Sequence, residues 1–531
     1  MRFILQRDCK HVLSSPLLLL RRSHMTCSVT VPYTVPSDWS TAEGCEYHYP
    51  IPFPDFQLCT AVPSEGEILR RDLRTIRPGT LELFSTGVNM TALAYAVSQV
   101  LSTSEVPTIG FEDSGDLNTL YKFGFQDGKK VIARIPRKRS PEKSYIESSV
   151  ATMCFARYVR NIPTPEVFAW NATHDHTIGV PFIIQEYVDH VTEAWRGWAS
   201  ITEDQRSCLF NELARYHSAL LAPLPYPLHG VGDLVFAPGL PINSALSDPR
   251  SYMVRPLRML ASELLPVPFV ASSVSLSDLW QQLWSHHSEL SLCDSGSLVN
   301  RETLDLDDDE ECDITTFTTA ASQVRTYAES ALPIVEQHPQ YGQPCLVNYD
   351  YAFRNILIDP KTYRIKAFID WDDVHVMPFV VGVNFPEDIK RFVTFGLAPD
   401  AEYYREGEFN DFPPNEHGMI VGAVGPDGKL TGRDQFGKST GVDERDERIR
   451  NTTYRERYIE ALQNLDPRVA QTDMWGVRQV VLKAHALLER GGAIWWYKRQ
   501  WLNQISVWIT ISERSHSELI VFGRKRRINE S

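Results

Sequence analysis

CLVNYDYAFRNILIDPKTYRIKAFIDWD, residues Cys345 to Asp372, sets three polar side chains among short apolar runs. Asp350 and Asn355 lie between Leu346-Val347 and Ile356-Leu357-Ile358, and Asp370 follows Ala367-Phe368-Ile369. Apolar runs this short, separated by turn-forming residues, read as a β-ribbon over residues 344–372. An acid at the end of a buried strand is costly unless it is paired or holds a cation. Phosphoryl transfer needs such a set. One carboxylate orients the acceptor hydroxyl and takes its proton, while an amide oxygen and a second carboxylate hold Mg2+ across the nucleotide phosphates. An acid, four spacers and an asparagine on one tight loop, followed by a strand-terminal acid, offer that geometry.

Upstream, the pattern changes at about residue 106. Gly110 to Gly115 is turn-rich, Leu117 to Phe125 is strand-like, Asp127-Gly128 is a hairpin turn signal, and Val131 to Ile135 is a second strand. Glu142 to Arg160 has helical period, with Ile146, Val150, Met153, Cys154 and Val159 on one broad face. Glu166 to Trp170 and Pro181 to Tyr187 are further strands. Adjacent hairpins around a single helix predict an α+β lobe over residues 106–189, not a doubly wound sheet. Over residues 190–510 helices dominate, in pieces such as Thr202 to Leu221, Leu276 to Leu290, 452–465 and 474–505, with the ribbon in their midst. Residues 400–445, rich in Gly, Pro, Asp and Glu, read as an insertion loop. Residues 31–105 form an N-terminal extension, Pro-rich at first, with a short amphipathic helix from Thr91 to Leu101.

The ribbon resembles the aminoglycoside phosphotransferase and choline kinase-like families, which carry H-x-D-x-x-x-x-N followed by a strand ending in Asp. Asn348-Tyr349-Asp350 through Asn355 matches at Asp and Asn, and Asp370-Trp371-Asp372 looks like their metal-binding D-x-D/E segment. The upstream pieces are similar to fungal-type members of that family and fall in the same order. Ser114-Gly115 through Tyr121 resembles the hairpin that covers the phosphates, and VIARIP (Val131 to Pro136) the strand with the phosphate-pairing base. Ile162 to Pro165 resembles the I-P-x-P turn, and Ile184 to Tyr187 the hinge strand that receives adenine. The resemblance runs from about residue 106 to about 390. It implies a protein kinase-like two-lobed fold, ATP and Mg2+ as cofactors, and a hydroxylated small molecule as substrate. It implies Asp350 as catalytic base and Asn355 and Asp370 as Mg2+ ligands. Ser114, Gly115, Arg134, Gln185, Glu186 and Tyr187 would meet the nucleotide, with Glu147 paired to Arg134.

Two positions depart from the family. Asn348 stands where the motif has histidine, and Arg134 where the strand has lysine. Arginine always carries charge, but its planar fork differs from the point charge of lysine. These departures keep open a pseudokinase that binds nucleotide or a partner without turnover. Simpler roles stay open too. Asp350 can cap a turn, Asn355 can be a satisfied loop amide, and Asp370 can pair with a surface arginine. Arg134 and Glu147 can be ordinary charges, and Gly115 a plain turn glycine. A third function comes from Gly432 to Ser439, which matches the P-loop pattern G-x-x-x-x-G-K-S/T of ATPases and GTPases. Its flanks, a Gly425-Pro426-Asp427-Gly428 turn before and Thr440-Gly441 after, lack the strand and helix such a loop needs.

The 531 residues are 43% hydrophobic and 23% charged, enough for a large core, and the net charge of -14 argues against general nucleic-acid binding. No apolar run reaches the length that spans a bilayer. The nine cysteines form no CxxC pair and no zinc spacing, and read as reduced thiols. Asp305 to Asp313 is acidic but lacks the glycine and distal glutamate of a calcium loop. The first 30 residues carry Arg2, Arg7, Lys10, Arg21 and Arg22 against one acid, Asp8. That composition fits a mitochondrial presequence, with a disordered N-terminus of a cytoplasmic protein as the alternative. Residues 511–531 form a basic tail around Arg524 to Arg527. Oligomeric state is not legible.

Overall fold

The computed structural model describes residues 88–114, 118–136, 143–174, 176–198, 201–238, 245–259, 269–293, 314–390, 443–471, 473–491, 495 and 502. The N-terminal 30 residues, the acidic run 305–313, the loop 400–442, the P-loop-like Gly432 to Ser439 and the basic tail lie outside them.

The first element is helix α1 (Met90–Val100), capped by Asn89, whose side chain accepts from the Ala92 N–H. Ten of its eleven residues are buried, so the expected amphipathic helix is in place but without a solvent face. Next come β1 (Thr108–Ser114), β2 (Asn118–Gly124) and β3 (Lys130–Pro136). Asp127-Gly128 makes the predicted hairpin turn: Gly128 sits at φ 86°, where a side chain is strained, and the Asp127 carboxylate accepts from the Lys129 N–H at 2.9 Å. Helix α2 (Lys143–Tyr158), β4 (Val167–Asn171) and β5 (Phe182–Glu186) complete an antiparallel sheet of order β1-β2-β3-β5-β4.

Alternation splits this sheet between two cores. Val131, Ala133, Ile135 and Ile184 pack with α1 in one cluster. Val167, Trp170 and Ile183 pack into the large cluster of the helical lobe. Arg134 lies opposite Leu120 on β2 and Ile183 on β5, and Ile132 lies opposite Gln185. The side chains of Arg134, Ile132 and Gln185 therefore share the face turned toward the helical lobe.

That lobe begins with the short strand β6 (Thr192–Glu193) and helix α3 (Glu203–Leu221), which starts in a capping box between Thr202 and Gln205. A hairpin of β7 (Asp233–Phe236) and β8 (Tyr252–Arg255) leans on α2. Helices α4 (Leu276–Cys293) and α5 (Ile314–Gln337) follow. The expected single ribbon is two nested pairings: β9 (Pro344–Asn348) pairs with β12 (Val374–Pro378), and inside them β10 (Ile356–Ile358) pairs with β11 (Ile365–Phe368). The nesting brings both ends of the Asp350–Asp370 segment to one place. β10 also pairs with β6. Helices α6 (Asp443–Leu465) and α7 (Met474–Arg490) close the lobe. Helix α7 is broken within the expected helical stretch 474–505 at Gly491, which takes φ 77° and where a Cβ would lie 2.2 Å from the His287 ring, while Trp495 and Leu502 beyond it are again helical. Trp495 is fully buried, as expected for a core residue. The architecture is α+β, a small antiparallel sheet lobe with its helix beside a larger helical lobe. No helix among the described residues is long and apolar enough to cross a membrane.

Candidate active site

Asp350 sits on the loop that leaves β9. The Asn348 side chain, in the motif's histidine position, accepts from the Asp350 N–H at 2.9 Å, and the Tyr349 N–H donates to the Asp373 carbonyl at 2.9 Å. A single 3-10 turn, Phe353–Asn355, then leads into β10. Asn355 donates through Nδ2 to the Asp350 carboxylate at 2.8 Å and to the Asp350 carbonyl at 2.9 Å. Both amide hydrogens are then engaged, so its Oδ1 is the face left to meet a cation. Asp350 is 9% exposed.

Three contacts pin this loop from residues just beyond β12. Arg354 pairs with Asp350 Oδ1 and, through its other arm, with Glu387 at 2.6 Å. The Phe353 N–H donates to the Asp388 carboxylate at 2.6 Å, and the Glu387 N–H to the Tyr351 carbonyl at 2.7 Å. Burial raises the Asp388 pKa even though the Phe353 N–H and Arg354 favour its charge. Burial works against the Arg354 cation, but Asp350 and Glu387 outweigh it and raise its pKa.

Asp370 adopts φ 61°, a left-handed conformation that Asp and Asn tolerate better than most residues. Its side chain is 36% exposed and lies 3.9 Å from Arg134 Nη2. Asp372 is the buried one, at 4% side-chain exposure. It pairs with Arg134, accepts from Ser149 Oγ at 2.7 Å and from Asn118 Nδ2 at 3.3 Å. The sheet lobe's cation thus meets both acids of the Asp370-Trp371-Asp372 segment. The Pro163 carbonyl of the I-P-x-P turn accepts from the Phe368 N–H at 2.7 Å, which joins the two lobes behind the site.

The expected pairing of Glu147 with Arg134 is not formed. Glu147 meets Arg255 of β8 at 3.2 Å. The cause is helical geometry. Positions two apart on a helix point roughly 200° apart, and Ser149 is the one that faces Asp372, so Glu147 is turned to the β7–β8 hairpin.

The remaining expected nucleotide contacts divide. Ser114 ends β1 opposite Thr119, while its side chain and Gly115 lie outside the described residues. Gln185 lies on the cleft face, its Oε1 buried without a hydrogen-bond partner. The Glu186 N–H donates to the Glu166 carbonyl at 2.8 Å, and its carboxylate accepts from the Glu166 N–H at 3.0 Å and Arg157 at 3.3 Å. Both groups of Glu186 are thus engaged within the protein. Tyr187 donates to Glu112 at 3.0 Å beneath Lys122 Nζ, 5.0 Å from its ring centre, and burial with the Glu112 charge pushes its hydroxyl up to about 12.

The residues fit a bound nucleotide and Mg2+. Mg2+ takes one or two protein ligands and fills its octahedron with water and phosphate oxygens, so Asn355 Oδ1 and the Asp370 carboxylate are a sufficient protein share. Arg134 would be the cation to meet phosphate oxygens. The Tyr145 hydroxyl, buried without a hydrogen-bond partner, is a second polar group awaiting one. Burial, the largest influence, raises its pKa, with Arg134 opposing and Asp373 and Asp370 adding. Sequence reading missed Ser149, Arg354 and Glu387. Only Arg354 carried a local signal, four residues from Asp350 inside the motif.

The sequence profile of the phosphotransferase enzyme family matches residues 112–381. A subtelomeric hrmA-associated cluster protein of Aspergillus fumigatus is 24% identical over 313 residues, 53% of this chain and 60% of that protein. The chain thus spans less than two thirds of that relative's length. The mitochondrial altered inheritance of mitochondria protein 9 of Yarrowia lipolytica is 26% identical over 168 residues, 30% of this chain and 28% of that one. Among solved structures, an ethanolamine kinase of Plasmodium vivax aligns over 83% of this chain and 98% of its own, at 13% identity and a TM-score of 0.34.

Proposed function

Because the chain belongs to the phosphotransferase enzyme family, we propose that it transfers the terminal phosphoryl group of ATP, with Mg2+, to a hydroxyl of a small molecule. In this reading the nucleotide lies between the two lobes and the acceptor against the helical lobe beside Asp350. Asp350 orients the acceptor hydroxyl and takes its proton as the new O–P bond forms. Asn355, fixed by its two hydrogen bonds to Asp350, offers Oδ1 to Mg2+ together with Asp370, and Arg134 grips a phosphate oxygen. A Mg2+ ion held by Asn355 and Asp370 would supply neutralisation of the charge on the transferring group and the departing diphosphate. The observation that carries the reading is the meeting of Arg134 with Asp370 at 3.9 Å, which joins a phosphate-binding cation of one lobe to a metal-binding acid of the other.

The test is ATP consumption with Mg2+ against a panel of hydroxylated metabolites, for the wild type, Asp350→Asn and Lys438→Ala. Turnover lost only in Asp350→Asn supports the kinase. Loss only in Lys438→Ala would transfer the function to the P-loop-like Gly432 to Ser439. A second reading, a pseudokinase, is favoured by the engagement of Arg134 with Asp372, which neutralises the cation in advance. Nucleotide binding without turnover across the panel would decide for it.

We also propose a mitochondrial location, with the cytoplasm as the alternative. The basic composition of residues 1–30 and the mitochondrial name of the Yarrowia lipolytica relative support this. A reporter fused to residues 1–30 should enter mitochondria, and a diffuse cytoplasmic signal would reject the assignment.

A further inference from the structure

Asp372 collects contacts from three separate elements of the sheet lobe. Asn118 reaches it from the start of β2, Arg134 from β3 and Ser149 from α2. It is also the more enclosed acid of its segment, at 4% side-chain exposure against 36% for Asp370. An acid this buried, with its oxygens already accepting from an arginine, a hydroxyl and an amide, has little capacity left for a metal ion. The exposed Asp370 keeps that capacity. The two acids therefore have different work, although the motif lists them as one segment.

We infer that Asp372 is a positioning residue: it holds Arg134 in the orientation that meets the nucleotide phosphates, and Ser149 ties helix α2 to that arrangement. The inference rests on the nucleotide-binding part of the proposed function. Arg134 has a long side chain with several rotatable bonds, and fixing it before the ligand arrives lowers the entropic cost of binding. Ser149 fills the place expected of Glu147. A neutral hydroxyl suffices there because the countercharge to Arg134 comes from Asp372 instead. Helix α2 is thereby coupled to Arg134 through the Asp370-Trp371-Asp372 segment and not by direct contact.

Electrostatics and positioning predict opposite signs. Removing a carboxylate from beside a phosphate site should, by Coulomb's law alone, tighten binding of an anion. Loss of positioning should weaken it. The experiment is calorimetric titration of the full chain with MgADP, for the wild type, Asp372→Asn, Ser149→Ala and Ser149→Thr, with the Tm of each ligand-free protein measured alongside. Asp372→Asn should bind about tenfold more weakly, the size of one charge-assisted hydrogen bond. Ser149→Ala changes no charge and should weaken binding several-fold, and Ser149→Thr, which keeps the hydroxyl, should restore it. Tighter or unchanged binding in Asp372→Asn would overturn the inference and leave the kinase reading intact, and so would full affinity in Ser149→Ala, the variant that keeps the buried ion pair should Asp372→Asn fail to fold. A wild type that takes up no MgADP would remove both.

Discussion

Asn348 closes the loop that carries Asp350 by accepting from the main-chain N–H of Asp350 at 2.9 Å. The residue that departs from the family motif is therefore the one that shapes the turn. Asn348→Ala should remove that bond, cost about 1 kcal/mol of stability and lower turnover about tenfold by loosening Asp350. Asn348→Asp, which retains the accepting oxygen, should keep most of the stability. Urea unfolding and ATP consumption measure the two effects.

Asp350→Asn should abolish proton acceptance and lower turnover by about a hundredfold or more. Nucleotide affinity should hold, because the substitution leaves Arg134 and Asp370 in place. A parallel loss of MgADP affinity would show that Asp350 supports the fold of the cleft instead.

Asp370→Asn should separate conformation from charge. Asparagine tolerates the φ of 61° as well as aspartate does, so stability should change by less than about 1 kcal/mol. The Mg2+ concentration needed for half-maximal ATP consumption should rise about tenfold or more with the loss of a charged ligand. Asp370→Ala should add a stability cost of about 1 kcal/mol from backbone strain.

Arg354→Gln should injure the loop through two partners at once, Asp350 and Glu387. Leaving a largely buried carboxylate without its cation costs on the order of 3 kcal/mol. Arg354→Lys, which can satisfy one partner but not both, should fall between wild type and Arg354→Gln in Tm and in turnover.

Acid should destabilise the protein through its buried histidines from about pH 6.5 downward. Burial holds the imidazoles of His217 and His287 down to about 4. His217 donates to the Gly382 carbonyl at 3.0 Å and accepts from the Tyr458 hydroxyl at 2.5 Å, an arrangement that needs the neutral ring. Between pH 6.5 and about 4 the unfolded chain binds protons at these positions and the folded chain does not. Stability is therefore complete above pH 6.5 and is lost as pH falls toward 4, by about 3 kcal/mol for each histidine. Urea midpoints at pH 7.5 and 4.5 should differ accordingly, and His217→Gln should flatten the dependence.

Legibility followed sequence distance. The order strand, turn, strand, helix, strand, strand could be read because each element declares itself within a few residues: the Asp127-Gly128 turn, the alternation around Val131 and Ile135, the period from Ile146 to Val159. Asp350, Asn355 and Asp370 could be read because they share one short stretch. The partners that orient them could not. Ser149 lies on a helix far upstream of Asp372, and Glu387 and Asp388 open a one-turn helix, Glu387–Lys390, with no motif. The pairing assigned to Glu147 failed for a related reason: a spacing along the chain says which face of α2 a residue occupies, not which face the neighbouring strand will present. The nested pairing of β9 with β12 was hidden too, since the hydrophobic pattern of a strand does not name its partner.

Tyr349, the residue beside Asp350, has its hydroxyl 2.7 Å from His485 Nε2 on α7, and Trp280 on α4 donates to the other nitrogen of that ring at 3.3 Å. Burial keeps the His485 ring below its ordinary pKa and so neutral. Helix α7 falls outside residues 112–381, the part that matches the family profile, and so does helix α6, which supplies Tyr458 to His217. A fragment trimmed to the matched segment would keep every motif residue and lose the buttress behind them. The minimal working unit of this protein is therefore larger than its recognisable signature, and a library of variants confined to that signature would leave the supports His485 and Tyr458 unsampled.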